Sequence, residues 1–192
     1  MNFYNLQNLK ININYPDIYF SPEYGRACEY SDNAKWELCQ YKDLIYVYLK
    51  RPIENEGILY YDLITPYGYS GYYYEKEETY KEFLPMFREQ AKKINYITEV
   101  LKQNPYLNIN ISESDIITSK RMYGINISNL NTNNYLKNTN KTNRRMINTA
   151  IKNNLQFKML EYNNKNLKEF LNIYDLTMNN LNSKKYFYFN DN

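Results

Sequence analysis

The 192-residue chain contains no histidine. That absence excludes Ser-His-Asp and Cys-His nucleophile arrangements and zinc sites built on imidazole. Any general base must be Asp, Glu, Tyr, Lys, a backbone group or a water held by one of these. Cysteine is limited to Cys28 and Cys39. Their spacing is not CxxC, so two buried free thiols are expected and no metal site. No apolar run approaches the ~20 residues of a membrane-spanning helix. The opening stretch MNFYNLQNLKININYP lacks the basic region and apolar run of a secretory signal. A cytoplasmic protein without a membrane span is the resulting expectation. Glycine occurs five times, proline six times and tryptophan once. These scarce residues carry the most information.

Tyrosine is abundant, with 24 copies. Isoleucine, asparagine and lysine dominate beside it, the pattern of an AT-rich coding sequence. A single residue of these types therefore carries little functional weight. The length suits one domain of common size, or one plus a fragment of a second. Such a chain buries a core without a disulfide or metal staple. Net charge is +3 but uneven. Residues 1–136 hold 14 basic and 17 acidic side chains, whereas 137–192 hold 10 and 4. This asymmetry suits either an anionic partner or a solvated positive helix face.

Residues 17–24 read as a strand running into a helix, with Ser21 as N-cap and Pro22 at the first helical position. The runs 36–41 and 44–49 flank a Lys42-Asp43 turn and predict a β-hairpin. A strand follows at 58–64. Tyr80, Phe83, Leu84, Phe87 and Ala91 recur at helical spacing within an expected helix 79–93, with a kink or restart at Pro85. Further strands are expected at 96–102, 121–127 and 155–161. A short helix is expected within 128–142, a helix capped by Thr142 over 143–153, and a strong amphipathic helix over 164–181. The apolar run Tyr186 to Phe189 needs packing partners. Trp36 reads as core.

Tyr60-Tyr61-Asp62-Leu63-Ile64-Thr65-Pro66-Tyr67-Gly68-Tyr69-Ser70-Gly71 is the most informative stretch. An apolar run carries Asp62, a proline sets a turn, and two glycines three residues apart hold a loop. Gly68 and Gly71 permit positive φ and close approach of backbone amides to a ligand. Tyr67 and Tyr69 offer flat faces with hydroxyl tips. A strand end followed by such a loop is a common way to present a binding site on a rigid scaffold. A tight turn with exposed tyrosines is the alternative.

Three segments together resemble the FemAB-like branch of the GNAT acyltransferase superfamily. Pro66-Tyr67-Gly68-Tyr69-Ser70-Gly71 is similar to its PYGYGG loop. Thr98-Glu99-Val100-Leu101-Lys102-Gln103-Asn104-Pro105 is similar to its EFVRFHP strand, with Lys102 in place of Arg and Asn104 in place of His. Asn143-Arg144-Arg145-Met146-Ile147-Asn148-Thr149-Ala150 resembles its NRRxIRKA helix, with Asn148 where Arg is common. The match spans roughly residues 17–190.

The resemblance implies an α/β (α+β) fold with a GNAT-like mixed, mostly antiparallel sheet flanked by helices. Residues 1–154 would form the first GNAT-like domain. Residues 155–192 would be the opening strand and helices of a second, incomplete one. The implied activity is transfer of an acyl or aminoacyl group, from acyl-CoA or aminoacyl-tRNA, to an amine or hydroxyl of a sugar, peptide or peptidoglycan-precursor acceptor. Asp62 and Glu99 are then the candidate bases. Tyr67 and Tyr69 would line the acceptor pocket, with Gly68, Ser70 and Gly71 as backbone donors. Lys102, Arg144 and Arg145 would meet phosphates of a nucleotide-linked substrate or a tRNA.

In the superfamily the acyl donor sits against a split in the sheet and a Gly-rich turn. No Gln/Arg-x-x-Gly-x-Gly/Ala turn occurs here, so a complementary second domain or a homodimer is implied. A non-catalytic carbohydrate- or peptide-binding module, or an inactive truncated remnant, are the other readings. Nucleic-acid binding rests on the basic C-terminal third alone, without a zinc motif, helix-turn-helix or RNP-like strand.

Overall fold

The computed structural model describes residues 1–9, 13–107, 123–124, 126, 128 and 131–188, with 132–134 described by backbone only. By contact the chain falls into two units, Met1–Lys120 and Arg121–Asn192. The expected strand over 121–127 lies largely outside the described residues.

Unit 1 is a mixed α+β layer structure. Its strands are β1 (Asn2–Asn5), β2 (Lys35–Tyr41), β3 (Leu44–Asn55), β4 (Ile58–Ile64), β5 (Gly71–Tyr73) and β6 (Tyr96–Val100). They form one six-stranded sheet in the order β1-β2-β3-β4-β6, with β5 also paired to β3. Every pairing is antiparallel except β4 with β6, which is parallel. The β3–β4 connection is the two-residue turn Glu56-Gly57, with both residues at positive φ (50° and 77°). This backbone twist matches that of the flanking strands.

Side-chain alternation divides the core into two layers. One face of the sheet carries Cys39, Leu44, Tyr46, Tyr48, Leu63 and Tyr72, and packs on Tyr80, Phe83, Leu84 and Phe87 of α2 (Glu77–Lys93). The other face carries Trp36, Leu38, Ile45, Val47 and Leu49, and packs on Phe20 and on Cys28 of α1 (Pro22–Asp32). Trp36 is fully buried and both cysteines are buried and free, as composition suggests. Burial is the first reason that the Cys39 thiol is pushed up to about 12.

The start of α1 follows the sequence closely. Ser21 Oγ accepts from the Tyr24 amide at 3.2 Å, and Pro22 takes the first helical position. The strand expected just before it is instead a 3-10 turn, Ile18–Phe20, which Asp17 caps through the Tyr19 amide at 2.8 Å. An Asx-type bond of this kind gives the backbone a local alternative to a ladder.

Helix α2 runs as one element through Pro85, without the expected restart. Its own N-cap, Lys76, makes no side-chain cap bond. Asp43, from the β2–β3 turn, does that work. Its carboxylate accepts from the Glu75 and Lys76 amides at 3.0 and 2.9 Å and from Thr79 Oγ1 at 2.6 Å. The hairpin and the helix are thereby fastened together at the point where helix amides are otherwise unpaired.

Unit 2 contains α3 (Thr132–Asn138), α4 (Lys141–Lys152) and α5 (Asn164–Asn180). Asn140, not Thr142, caps α4, accepting from the Asn143 amide at 2.9 Å. Asn163 caps α5 in the same way. Residues 155–161, expected as a strand, form neither strand nor helix. After α5, Lys185–Phe187 forms a 3-10 turn. Tyr174 Oη donates to the Phe187 carbonyl at 2.6 Å and Tyr188 Oη to Asn179 Oδ1 at 2.7 Å. Part of the apolar run 186–189 thus finds partners on α5, while Phe189 lies outside the described residues.

Burial raises the Asp43 carboxyl, but its hydrogen bonds from Thr79 and from backbone amides outweigh this and hold it below the usual value of 3.8. A carboxyl depressed in the folded state stabilises above its ordinary range and loses that contribution as pH falls through the folded value. Asp43→Asn is expected to cost about 1–2 kcal/mol at neutral pH. In urea melts at descending pH, the gap between wild type and variant should close below pH 4.

Candidate functional site

The Gly-containing loop is built by a change of partner along one edge of β3. Leu49 pairs with Ile64 of β4, and Val47 pairs with Gly71 of β5. Thr65 to Ser70 therefore leave the ladder as an excursion opposite Tyr48. Both ends are clamped. Pro66 and Ser70 are buried, and Ser70 Oγ donates to the Val47 carbonyl at 3.2 Å. Thr65 N–H bonds to the Val100 carbonyl at 3.2 Å, and Thr65 Oγ1 accepts from the Lys102 amide at 2.7 Å. The Ser70 amide donates to the Lys102 carbonyl at 3.3 Å.

The segment after β6 is fixed in turn. Asn104 is buried and donates to Asp17 at 2.5 Å, while its Oδ1 accepts from the Tyr106 amide at 2.9 Å. The loop crest rests on aromatic rings. Tyr24 Oη donates to the Tyr67 carbonyl at 2.6 Å, and Tyr19 meets Tyr69 edge-on at 5.7 Å. Gly68 has φ of 95°, and an added Cβ would lie 2.4 Å from the Tyr19 ring. Conformation and space both demand glycine there.

On this base the structure brings together Tyr67, Tyr69 and Lys102. The Lys102 ammonium stands 5.9 Å from the Tyr67 ring centre and 5.5 Å from that of Tyr69. Such distances fit a cation–π arrangement. Tyr67 is 60 % exposed and Lys102 is exposed as well. Ser70 and Gly71, expected as ligand-facing donors, point their roles inward. The Ser70 amide is taken by Lys102, and Gly71 is buried in the ladder with β3.

The two candidate carboxylates do not meet. Asp62 pairs across the ladder with Arg51, on the α1 face. Arg51 Nε reaches Asp62 Oδ1 at 3.1 Å and Nη2 reaches Oδ2 at 2.5 Å, a bidentate pair. Hydrogen bonding to Asp62 is the first cause that raises the Arg51 guanidinium above its usual value. Glu99 pairs with Leu63 and so faces the α2 side. Its Oε1 accepts from Tyr46 Oη at 2.5 Å and Tyr72 Oη at 2.6 Å. The sheet itself lies between the two candidate bases, Asp62 on the α1 side and Glu99 on the α2 side.

Glu99 belongs to a pattern that sequence reading missed. Tyr46, Tyr48 and Tyr72 are almost completely buried, and buried hydroxyls require acceptors. Glu99 serves Tyr46 and Tyr72. Glu37 serves Tyr48 at 2.8 Å and Tyr96 at 2.9 Å, and pairs with Lys50. Burial is the first reason that the phenols of Tyr46, Tyr48 and Tyr72 lie well above their ordinary value. The one available signal was tyrosine on the buried face of β3 with acids on neighbouring strands.

In unit 2, Arg144 is already engaged. Its Nη2 donates to the carbonyls of Lys137 and Thr139 at 3.2 and 3.0 Å, closing the end of α3. Arg145 is exposed in the first turns of α4. Two open grooves lie on unit 1. One, of about 330 Å³, is lined by Leu6, Leu9, Ile13, Tyr15, Pro22, Glu23 and Arg26. The other, of about 450 Å³, includes Gln40, Lys42, Asp43 and Tyr73. Neither is lined by Tyr67, Tyr69 or Asp62. Among the described residues no group of acids and cysteines could hold a metal, and no helix is long and apolar enough to cross a membrane. Comparison with protein-family models, curated proteins and solved structures finds no match.

Gly68→Ala is expected to destabilise unit 1 by about 1–3 kcal/mol, because it adds strain at positive φ and a clash with Tyr19. Urea denaturation followed by tryptophan fluorescence measures this directly.

Proposed function

We propose that unit 1 is the acceptor-binding part of an acyl- or aminoacyl-transferase of the FemAB-like GNAT type, and that Tyr67, Tyr69 and Lys102 are the surface on which a sugar- or peptide-containing acceptor lies. The observation that carries this reading is the placement of one exposed ammonium over two tyrosine rings on a loop clamped at both ends. Tyrosine faces pack on the apolar faces of sugar rings, and their hydroxyls bind polar edges. The ammonium suits a phosphate or carboxylate on a nucleotide-linked precursor. The mixed, mostly antiparallel sheet flanked by helices is the sheet that the resemblance implies.

The donor seat that the resemblance implies is a split between strands, and among the described residues of unit 1 β4 and β6 stay paired through Ile64 and Val100. The Thr65–Val100 bond and the Ser70–Gln103 bridge continue that closure beyond the strands. Acyl-CoA or aminoacyl-tRNA would therefore be held by a complementary domain or a second copy. Nucleic acid enters only if tRNA is the donor. Such substrates place the work in the cytoplasm. Of the two carboxylates, Asp62 shares the face of the tyrosine loop and is the base favoured for an acceptor bound there.

A second reading is a carbohydrate- or peptide-binding module without chemistry. The bidentate hold of Arg51 on both oxygens of Asp62 favours it.

Titration of the chain with nucleotide-linked amino sugars and short peptides, followed by calorimetry, tests the binding surface. Tyr67→Ala and Lys102→Ala should each weaken binding about tenfold, the scale of one aromatic or cation–π contact. Asp62→Asn should leave affinity nearly unchanged. Absence of binding, or wild-type affinity in both surface variants, contradicts the proposal.

A further inference from the structure

The chain holds 21 acidic residues, yet none falls between Asp115 and Glu161. That stretch carries eight lysines and arginines. The excess does not depend on the undescribed neighbours, because residues 108–131 hold two acids and two bases. Half of the eight cations lie on α4. Lys141, Arg145 and Lys152 recur there at intervals of four and seven, which places them on one face with Asn148. The stripe is about 16 Å long. All three cations are exposed, and among the described residues none pairs with a carboxylate.

The placement of these cations runs against the helix itself. The unpaired amides at a helix start favour anions and disfavour cations. Helix α2 shows the ordinary arrangement, with Glu77 and Glu78 in its first turn and Lys92 and Lys93 in its last. Helix α4 has no acid in its first turn, and Lys141, Arg144 and Arg145 crowd its start instead. Arg144 is used internally, on the carbonyls of Lys137 and Thr139. Lys141 and Arg145 are left facing outward at the positive end of the helix. An anion from outside the chain relieves both the mutual repulsion and the unfavourable dipole.

We propose that this stripe binds single-stranded nucleic acid by its phosphate backbone, with Lys141, Arg145, Lys152 and Lys158 as the phosphate contacts and Phe157 as a face on which a base stacks. Charge complementarity selects a polyanion. A single strand is selected by Phe157, which is 91 % exposed beside Lys158 inside the acid-free stretch. An aromatic face set among cations is the usual platform for unpaired bases. A lipid surface is disfavoured because the apolar side of α4 lies opposite the stripe, where Ile147 and Ala150 are half-buried. The stripe itself offers charge and an amide but no aliphatic surface. The inference rests on unit 2 alone and is independent of the acyl-transfer reading of unit 1. In that reaction a tRNA would serve as donor, whereas here an uncharged strand of any sequence suffices.

The test is fluorescence anisotropy of a labelled, mixed-sequence single strand of about 20 nucleotides, titrated with the full chain over a range of salt. Four phosphate contacts predict a slope of about −3 for log affinity against log salt. Joint replacement Lys141→Gln, Arg145→Gln and Lys152→Gln should weaken binding at least tenfold and make the slope shallower by about 2. Phe157→Ala should weaken binding about tenfold with the slope unchanged. Lys92→Gln, on α2 of unit 1, should change neither. All these side chains are exposed, and circular dichroism confirms that each variant keeps its helices. Absence of binding at low salt overturns the proposal, as does wild-type affinity in the triple variant or in Phe157→Ala. Tighter binding to vesicles containing phosphatidylserine than to the oligonucleotide, or to the duplex than to the single strand, overturns it as well.

Discussion

The long strand β3 must satisfy two partners along a single edge, and the rest of unit 1 depends on how it does so. Its far half pairs with β4 and its near half with β5. Tyr48 falls at the change of partner, and the chain between Ile64 and Gly71 has to leave the sheet. That exit places Tyr67 and Tyr69 outside the ladder. It also sends Pro66 and Ser70 back into the protein as anchors. The parallel strand β6 then runs alongside β4 and delivers Lys102 to the same spot. The aromatic and cationic surface is thus a product of ladder geometry, held by backbone bonds and not by side-chain chance.

The same sheet assigns its carboxylates by face. On the α2 side, tyrosines take positions where aliphatic residues would suffice, and each buried hydroxyl needs an acceptor. Glu37 and Glu99 answer that need, and Tyr46 and Tyr72 stack at 4.3 Å against the rest of the aromatic layer. On the α1 side Asp62 answers Arg51. A carboxylate with such partners is first a structural acceptor. Chemistry at Asp62 would require Arg51 to release an oxygen when an acceptor binds.

Much of the fold was legible wherever one segment decides its own conformation. The Ser21-Pro22 helix start, the hairpin about Lys42-Asp43, the strand over 58–64 and the apolar stripe of α2 are local signals. Of the candidate site, the loop chemistry of Tyr67 to Gly71 offered a ligand-binding loop or an exposed turn, and Lys102 was singled out only as a phosphate contact with Arg144 and Arg145; its place beside the two tyrosine rings was not legible. Nor were features set by distant residues. Asp43 caps a helix from a turn more than thirty residues earlier, and Glu99 meets Tyr46 across fifty-three positions. Leu155 to Glu161 has strand spacing, but spacing cannot supply a partner. Asp17 and Asn140 show how a short polar side chain redirects a boundary by one local bond.

The central claim is that Tyr67, Tyr69 and Lys102 form one preorganised surface. Proton NMR of the free chain tests it most directly, because ring currents act over these distances alone. The account predicts upfield-shifted Lys102 ε-methylene protons with nuclear Overhauser contacts to both tyrosine rings. Lys102 methylene shifts at ordinary lysine values, with no contact to either ring, would contradict it.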